Sequence, residues 1–225
     1  MRCGVRSGHV DGERIQNLLD FYILAKRVVV AEGFAEEIKW QENIDFSSVG
    51  ESLFLREAAW VVLSAGMRES VVRSKFSAFS AAFFNWVNAS AITKNAQHCR
   101  RTAGRVFAHP RKINSIIGIA STIQDCGFDA FKRKICADGV EFLQSLPFIG
   151  PVTSYHLAKN IGLNVVKADR HMVRVSALAG YANPSDFCQM ISNAVGDRLC
   201  VVDLVVWRYA TLNPGYREFL VRFLH

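Results

Sequence analysis

The sequence lacks any apolar run long enough to cross a membrane. Its most apolar early stretch, FYILAKRVVVA at 21–31, is interrupted by Lys26 and Arg27, and a helix needs roughly 20 consecutive apolar residues to span a bilayer. We therefore expect no membrane segment and an intracellular location, in the cytoplasm or nucleoid. With 225 residues, of which 50% are hydrophobic, the chain can form one sizeable core or two small lobes.

Cysteines are few and widely spaced. The six of them form no CxxC pair and stand at positions 3, 99, 126, 136, 188 and 200. This pattern indicates neither a disulfide framework nor a cysteine metal site, and buried thiols are the expected state. His98, Cys99 and His109 lack a fourth partner at metal-site spacing, so we predict no metal.

Strand-like segments are also scarce, whereas helical periodicity is found along most of the chain. Apolar residues recur at i, i+3, i+4 and i+7, as in Ile113, Ile116, Ile117 and Ala120. The apolar run 201–206 is predicted to be a buried helix, because Trp207 and Tyr209 follow it without a break. The pattern predicts an all-α protein.

Basic residues exceed acidic ones by 27 to 20, which gives a formal net charge of +7. Such an excess in a compact protein favours a polyanionic partner. Five cations fall between Arg100 and Lys112, and three more occupy 132–134. These two basic segments form either solvated loops or a surface that faces a polyanion.

A turn signature, LPFIGPVTS, occupies residues 146–154. Gly150 permits a positive φ or a close approach of another backbone, and Pro151 suits the first turn of a helix. The predicted unpaired N–H donors of that helix belong to Val152, Thr153 and Ser154. The segment is either an ordinary helix–helix connection or a place to hold a phosphate.

Asp169 is an isolated carboxylate between the apolar pair Val165–Val166 and a new helical pattern that begins with Met172. Aspartate is a favoured N-cap, because its carboxylate accepts hydrogen bonds from the first N–H groups of a helix. The alternative is a catalytic carboxylate. One side chain can serve both purposes.

Four segments together resemble the helix-hairpin-helix (HhH-GPD) DNA glycosylase superfamily, which includes endonuclease III and the alkyladenine glycosylases. LPFIGPVTSYHLA is similar to the family hairpin LPGhGxxTA, and VVKADRHMVRV to the VxD[TR]H segment that carries the catalytic aspartate. WVVLSAGMRESVVRSKF and LCVVDLVVWRYA are similar to an early and a late family helix. The resemblance covers roughly residues 50–212.

The resemblance implies two helical lobes with a DNA- and base-binding cleft between them. It implies an N-terminal helical extension at 1–48 that packs on the core and a glycosylase-like domain at 49–225, with the hairpin at about 146–154. The implied partner of this monomeric enzyme is double-stranded DNA that contains a damaged or modified base. The enzyme flips the base out and hydrolyses its N-glycosidic bond, in base excision repair or in attack on modified bases of invading phage DNA.

Carried over by position, the resemblance makes Asp169 the catalytic residue and gives His171 a supporting role. A carboxylate beside C1′ can stabilise the oxocarbenium-like transition state and orient or deprotonate a water. The DNA contacts that it implies are Ile149, Gly150, Val152 and Thr153 in the hairpin, and Met67 and Arg68 near the duplex. From the charge pattern we add Arg100 and Arg101 of the first basic segment as expected DNA contacts.

The chain departs from the family pattern at four places. Val152 replaces the lysine of bifunctional members, so we predict a monofunctional enzyme, with Lys159 or Lys167 as alternative sources of lyase activity. Gly66 replaces a glutamine that fills the gap in the duplex. Phe148 replaces the first glycine of the hairpin, so either the turn tolerates it or the phosphate grip is altered.

The fourth departure is at the C-terminus, where the endonuclease III branch carries four clustered cysteines. This chain has only Cys188 and Cys200 in its last forty or so residues, and we expect no iron–sulfur cluster and no other cofactor. A second class of function stays open, a helix-hairpin-helix DNA-binding protein without chemistry. Asp169 separates the two classes, because a carboxylate beside DNA opposes binding.

Overall fold

The computed structural model describes residues 7–224, with side chains from residue 12 onward. Within this range the chain is helical and contains no strand, which confirms the all-α prediction. The backbone contacts divide it into two compact units. The central unit consists of residues 45–163, and the terminal unit consists of residues 7–44 and 164–224 among those described.

The central unit contains seven α-helices within its described residues. They are α3 (Glu51–Ser64), α4 (Glu69–Ala82), α5 (Ala89–Lys94), α6 (Ala96–Val106), α7 (Pro110–Cys126), α8 (Phe128–Gln144) and α9 (Pro151–Asn160). The terminal unit begins with α1 (Ser7–Val29) and α2 (Ala35–Asn43). It continues with α10 (Arg170–Leu178), α11 (Pro184–Val195), α12 (Leu199–Leu212) and α13 (Tyr216–Leu224).

Aromatic side chains fill the core of the central unit. The rings of Phe54 and Phe131 meet edge to face at 4.9 Å between centroids, and those of Phe79 and Phe83 stack at 5.0 Å. One buried polar pair links α3 to α9, since the Glu57 carboxylate accepts a 2.9 Å hydrogen bond from Asn160 Nδ2. Burial raises the pKa of Glu57, and the Arg56 guanidinium and Asn160 partly oppose this shift.

The core of the terminal unit is built around α12, whose valines between 201 and 206 are all buried. This confirms the predicted buried helix. Helix α1 packs on α12, and the buried Tyr22 of α1 donates a 2.5 Å hydrogen bond to Asp197 Oδ2. Lys26 Nζ lies 2.8 Å from the same oxygen.

The observed units do not follow the boundary at residue 48 that the resemblance implies. Residues 7–44 belong to the same compact unit as residues 164–224, because α1 and α2 pack on α12. Consequently the hairpin lies in the central unit, whereas Asp169 lies in the terminal unit.

The cysteines only partly match the prediction that their thiols are buried. Cys99, Cys188 and Cys200 are buried, Cys126 is half-buried, and Cys136 is exposed on α8, where the prediction is wrong. Cys3 lies outside the described residues. No helix found between residues 7 and 224 combines the length and the apolar character that a bilayer span requires.

Candidate functional site

The segment between α8 and α9 is a tight turn with an unusual backbone. Phe148 has φ +66°, a left-handed conformation that is favourable for glycine and costly for a bulky side chain. Phe148 stands where the resembled family has its first hairpin glycine. The turn therefore has a glycine-like conformation without a glycine, and the ring at its tip is 41% exposed.

The buried residues of the turn fix its orientation. Leu146 and Ile149 are each 4% exposed, and Ile149 N donates a 3.0 Å hydrogen bond to the Leu146 carbonyl. The side chain of Ile149 thus anchors the turn in the central core. Only the backbone of Ile149 is therefore available for the predicted DNA contact.

Helix α9 begins with two free backbone donors. Ser154 N donates to the Gly150 carbonyl at 2.9 Å, so the prediction that this N–H is unpaired is wrong. Gly150 N donates to Thr153 Oγ1 at 2.7 Å. Within residues 7–224, the N–H groups of Val152 and Thr153 have no hydrogen-bond partner. Two adjacent donors at the positive end of a helix can bind an anion.

Lys112 belongs to the first basic segment but does not face solvent. It is 2% exposed, and its Nζ donates to the carbonyls of Leu63 and Ala65 at 2.6 and 2.7 Å. Burial lowers the pKa of this ammonium group. The cation binds carbonyls at the C-terminal end of α3, where the helix dipole favours positive charge. Its inclusion in a surface that faces a polyanion is therefore wrong.

Lys132, in the second basic segment, also directs its ammonium group toward backbone carbonyls, as Lys112 does. Its Nζ donates to the carbonyls of Ser47 and Val49 at 2.6 and 2.9 Å. Arg133 and Lys134 beside it are exposed. Each basic segment thus contains a lysine that stabilises a chain turn of the central unit.

Phe148 lies against two residues of the first basic segment. Its ring meets the His109 ring edge to face at 6.1 Å, and Lys112 Nζ lies 5.8 Å from its centroid. His109 and Arg100 line one depression of about 430 Å³. Arg100 Nε donates a 2.8 Å hydrogen bond to Asn114 Oδ1 in the same depression. We call the surface formed by Arg100, His109, Phe148, Val152 and Thr153 the hairpin face.

Met67 and Arg68 lie in the turn between α3 and α4, and both are exposed. Gly66, just before them, has φ +71°. The carbonyl of Ala65 accepts a hydrogen bond from Lys112, the same cation that lies against Phe148. Lys112 thus joins this turn to the hairpin face. Arg101 is exposed on α6.

Asp169 is the N-cap of α10, as one of the two sequence interpretations predicts. Its Oδ1 accepts hydrogen bonds from the N–H groups of His171 and Met172, at 2.9 and 3.2 Å. Its Oδ2 takes no part in these cap bonds and lies 3.9 Å from Lys167 Nζ. The side chain is 16% exposed. One oxygen therefore orders the helix start, and the other faces a cation.

Helix α12 fixes the segment that leads to Asp169. Asn164 Oδ1 accepts a 3.2 Å hydrogen bond from Cys200 N, and Asp203 Oδ2 accepts one of 3.3 Å from Lys167 N. Asp203 is itself 1% exposed. Sequence reasoning did not single out Asp203, and its polar character within an apolar helix is the signal that marks it.

His171 lies in the first turn of α10 with its ring 5.8 Å from that of Tyr216. Its pKa is lowered, first by burial and then by the charges of Arg170, Arg174 and Arg217, whereas Asp169 opposes the shift. A neutral imidazole is therefore favoured near neutral pH. This agrees with a supporting role better than with a permanent cation.

The two lysines considered for lyase chemistry differ in their surroundings. Lys159 is 5% exposed within the central unit. Lys167 is 18% exposed and lies beside Asp169. Among the described residues, no three His, Cys, Asp or Glu side chains converge in a way that would hold a metal ion.

No protein family, curated protein or solved structure shows a significant match to this chain. Its function must therefore be inferred from its own residues and their geometry.

Proposed function

We propose that this protein is a monofunctional DNA glycosylase of the helix-hairpin-helix type. It binds double-stranded DNA, flips a damaged or modified base into a cleft between two helical lobes, and hydrolyses the N-glycosidic bond. The product is an abasic site. The observation that carries the proposal is the arrangement of Asp169, whose Oδ1 makes both cap bonds while Oδ2 takes part in neither.

The hairpin supplies the proposed grip on the DNA backbone. A phosphate can accept hydrogen bonds from the free N–H groups of Val152 and Thr153. The left-handed backbone at Phe148 supports this proposal, because the resembled hairpin has a glycine there. Arg100 and His109 extend the proposed contact along the hairpin face.

Asp169 supplies the proposed chemistry. Cleavage of an N-glycosidic bond places positive charge on the sugar, and a fixed carboxylate beside C1′ stabilises that charge. The cap bonds hold the Asp169 carboxylate in place before substrate arrives, and the bonds from α12 hold the backbone that precedes it. Oδ2 is then available to stabilise the sugar or to orient water.

Water is the proposed nucleophile, because the hairpin carries Val152 where a bifunctional enzyme carries lysine. Lys159 is 5% exposed, so a sugar on bound DNA has little access to its amine in the folded protein. Lys167, beside Asp169, is the lysine to examine for residual lyase activity. Borohydride trapping of the wild type and of Lys167→Met tests this point, and a trapped adduct that depends on Lys167 would contradict the monofunctional mechanism.

The principal experiment measures base release from duplexes with a panel of damaged bases and from DNA with hypermodified cytosines. We expect abasic sites from the wild type, with strand breaks only after alkali, and none from Asp169→Asn. The panel also identifies the substrate base. Val173→Asn, an exposed substitution on the same helix, is the control for nonspecific effects on α10.

The second candidate function is DNA binding without chemistry. It is favoured by the fact that N-capping already gives Asp169 a structural role. In that case every duplex is bound and none is changed. Asp169→Asn would then bind DNA as well as the wild type or better, because a negative charge is removed.

A further inference from the structure

A depression of about 490 Å³ lies on the terminal unit, where residues from the first turns of α10 and α13 meet. Arg170 and His171 of α10 line it, together with Tyr216, Arg217 and Glu218 of α13. All of these residues follow Asp169 in sequence, and Arg170 follows it directly. The depression thus begins beside the proposed catalytic residue.

The charge of this depression is mainly positive. Arg170 and Arg217 are exposed cations on its wall, and Glu218 is the acidic group among them. Both arginines, and Arg174 of the same helix, lie close enough to His171 to act on its charge. Sequence reasoning did not find this cluster, because its arginines are separated along the chain by more than forty residues.

Helix α13 adds free backbone donors to the arginines. Tyr216 N donates to the Asn213 carbonyl at 3.0 Å, and Phe219 N donates to the Gly215 carbonyl at 3.2 Å. The N–H groups of Arg217 and Glu218, between them, have no partner in the part of the chain that is described. Both N–H groups lie in the first turn of this nine-residue helix, at the positive end of its dipole.

Two buried polar atoms in the lining residues also lack a partner. Tyr216 is 3% exposed, and neither its hydroxyl nor Nδ1 of His171 has a hydrogen-bond partner among the described residues. The two rings lie 5.8 Å apart. A buried polar atom without a partner is costly, so a ligand that supplies acceptor oxygens would relieve that cost.

We propose that this depression binds a phosphate of the DNA backbone, as a second grip beside Asp169. Arg170, Arg217 and the two free N–H groups of α13 are its donors, and Tyr216 and His171 provide further hydrogen bonds. The inference rests on the proposed function, since it assigns the DNA strand that carries the target nucleotide to this site. Free inorganic phosphate presents the same chemistry, so the test must separate the two sources.

The test uses a duplex with a tetrahydrofuran abasic-site analogue, so it does not require the substrate base to be known. Binding is measured by fluorescence anisotropy over a series of salt concentrations for the wild type, Arg217→Gln and Arg222→Gln. Arg222 is an exposed arginine that lies on α13 like Arg217 but outside the depression, and it therefore serves as the matched control. We expect Arg217→Gln to lower the slope of log K against log salt by about one, whereas Arg222→Gln leaves it unchanged.

Tyr216→Phe gives a second readout that a merely structural role would not produce. Removal of an unpartnered buried hydroxyl should leave the melting temperature equal or raise it. Loss of a hydrogen bond to a charged phosphate should weaken binding of the same duplex roughly tenfold. Equal affinities of Tyr216→Phe and wild type would remove Tyr216 from the site.

The outcomes separate this inference from the proposed glycosylase. If the wild type releases a base and Arg217→Gln changes neither the salt slope nor KM, the second grip is wrong and the glycosylase stands. If no base is released but the slope falls only with Arg217→Gln, the grip stands in a DNA-binding protein. Stabilisation of the wild type by inorganic phosphate, with unchanged DNA binding by Arg217→Gln, would overturn the assignment to DNA.

Discussion

The two units use their charged residues in opposite ways. In the central unit the sequence concentrates cations in two segments, yet Lys112 and Lys132 are turned toward backbone carbonyls. In the terminal unit, Arg170 and Arg174 of α10 and Arg217 of α13 come from separate parts of the sequence and converge near His171. Linear charge density therefore predicts neither the position nor the role of a cation, since both depend on which helix ends meet.

The units also differ in the type of group that each offers to a ligand. The hairpin face of the central unit offers the free N–H groups of Val152 and Thr153. The terminal unit offers Asp169, a carboxylate already engaged in a helix cap. One unit is suited to hold an anion, and the other also carries the acid group that the proposed chemistry needs. Each substitution below alters one side of this comparison.

The largest expected effect concerns Asp169. We expect Asp169→Asn and Asp169→Ala each to reduce base release by at least about a hundredfold, because both remove the charge. Asparagine still caps α10, whereas alanine should cost about 1 kcal/mol of unfolding free energy. Single-turnover assays and urea denaturation measure the two effects. An Asp169→Asn enzyme with full activity would limit Asp169 to its cap.

Lys112→Met should have the largest effect on stability. It leaves the carbonyls of Leu63 and Ala65 without their cation, and hydrogen bonds to charged groups contribute about 2–3 kcal/mol. Urea denaturation should show a loss of this size. Arg111→Met removes the neighbouring exposed charge and should change stability by less than about 0.5 kcal/mol. Similar losses in both variants would contradict the structural role of Lys112.

Val152→Glu tests the hairpin face. A carboxylate placed beside the free N–H groups should repel a phosphate, and a charge at about 4 Å in water changes binding by about 1 kcal/mol, or fivefold. The same acidic residue in the first turn should not destabilise α9. Val87→Glu is the control, because Val87 is 57% exposed in the same unit and is not part of the hairpin face. Equal DNA affinities for the two variants would argue against a phosphate at α9.

Two substitutions at Phe148 test whether its positive φ constrains the hairpin. Glycine and alanine both remove the ring, but only glycine relieves the left-handed conformation, so Phe148→Gly should be more stable than Phe148→Ala by about 1 kcal/mol. Thermal or urea denaturation gives the difference. At Ser145, whose φ is −75°, alanine should be the more stable of the same pair. The same order at both positions would mean that the positive φ is not a constraint.

The smallest expected effect is a pH dependence from His171. Its folded pKa lies below the usual value of about 6.5, so the folded protein takes up this proton less readily than the unfolded chain. The contribution of His171 to the free energy of unfolding is fully present above about pH 6.5, and it is lost as the pH falls through the folded pKa. Melting temperatures between pH 7 and 5 should decline less in His171→Gln. The exposed His98→Gln should follow the wild type.

The sequence by itself determined the all-α class and the buried helix through 201–206, and it offered the cap at Asp169 as one of two interpretations, because these features depend on local periodicity and short-range hydrogen bonds. It also marked the hairpin, although it did not show that Phe148 adopts a positive φ. Only Val152 and Thr153 of its three predicted donors are free, since Ser154 donates to Gly150.

The tertiary structure decided which charges face inward and which distant residues meet. Lys112 reaches carbonyls 47 and 49 residues away in sequence, and the wall shared by Arg170 and Arg217 depends on the packing of α10 against α13. It also decided that residues up to Ile44 join those from Asn164 onward. Such contacts arise from the burial of complementary apolar surfaces between helices, and no local spacing rule specifies which surfaces will pair.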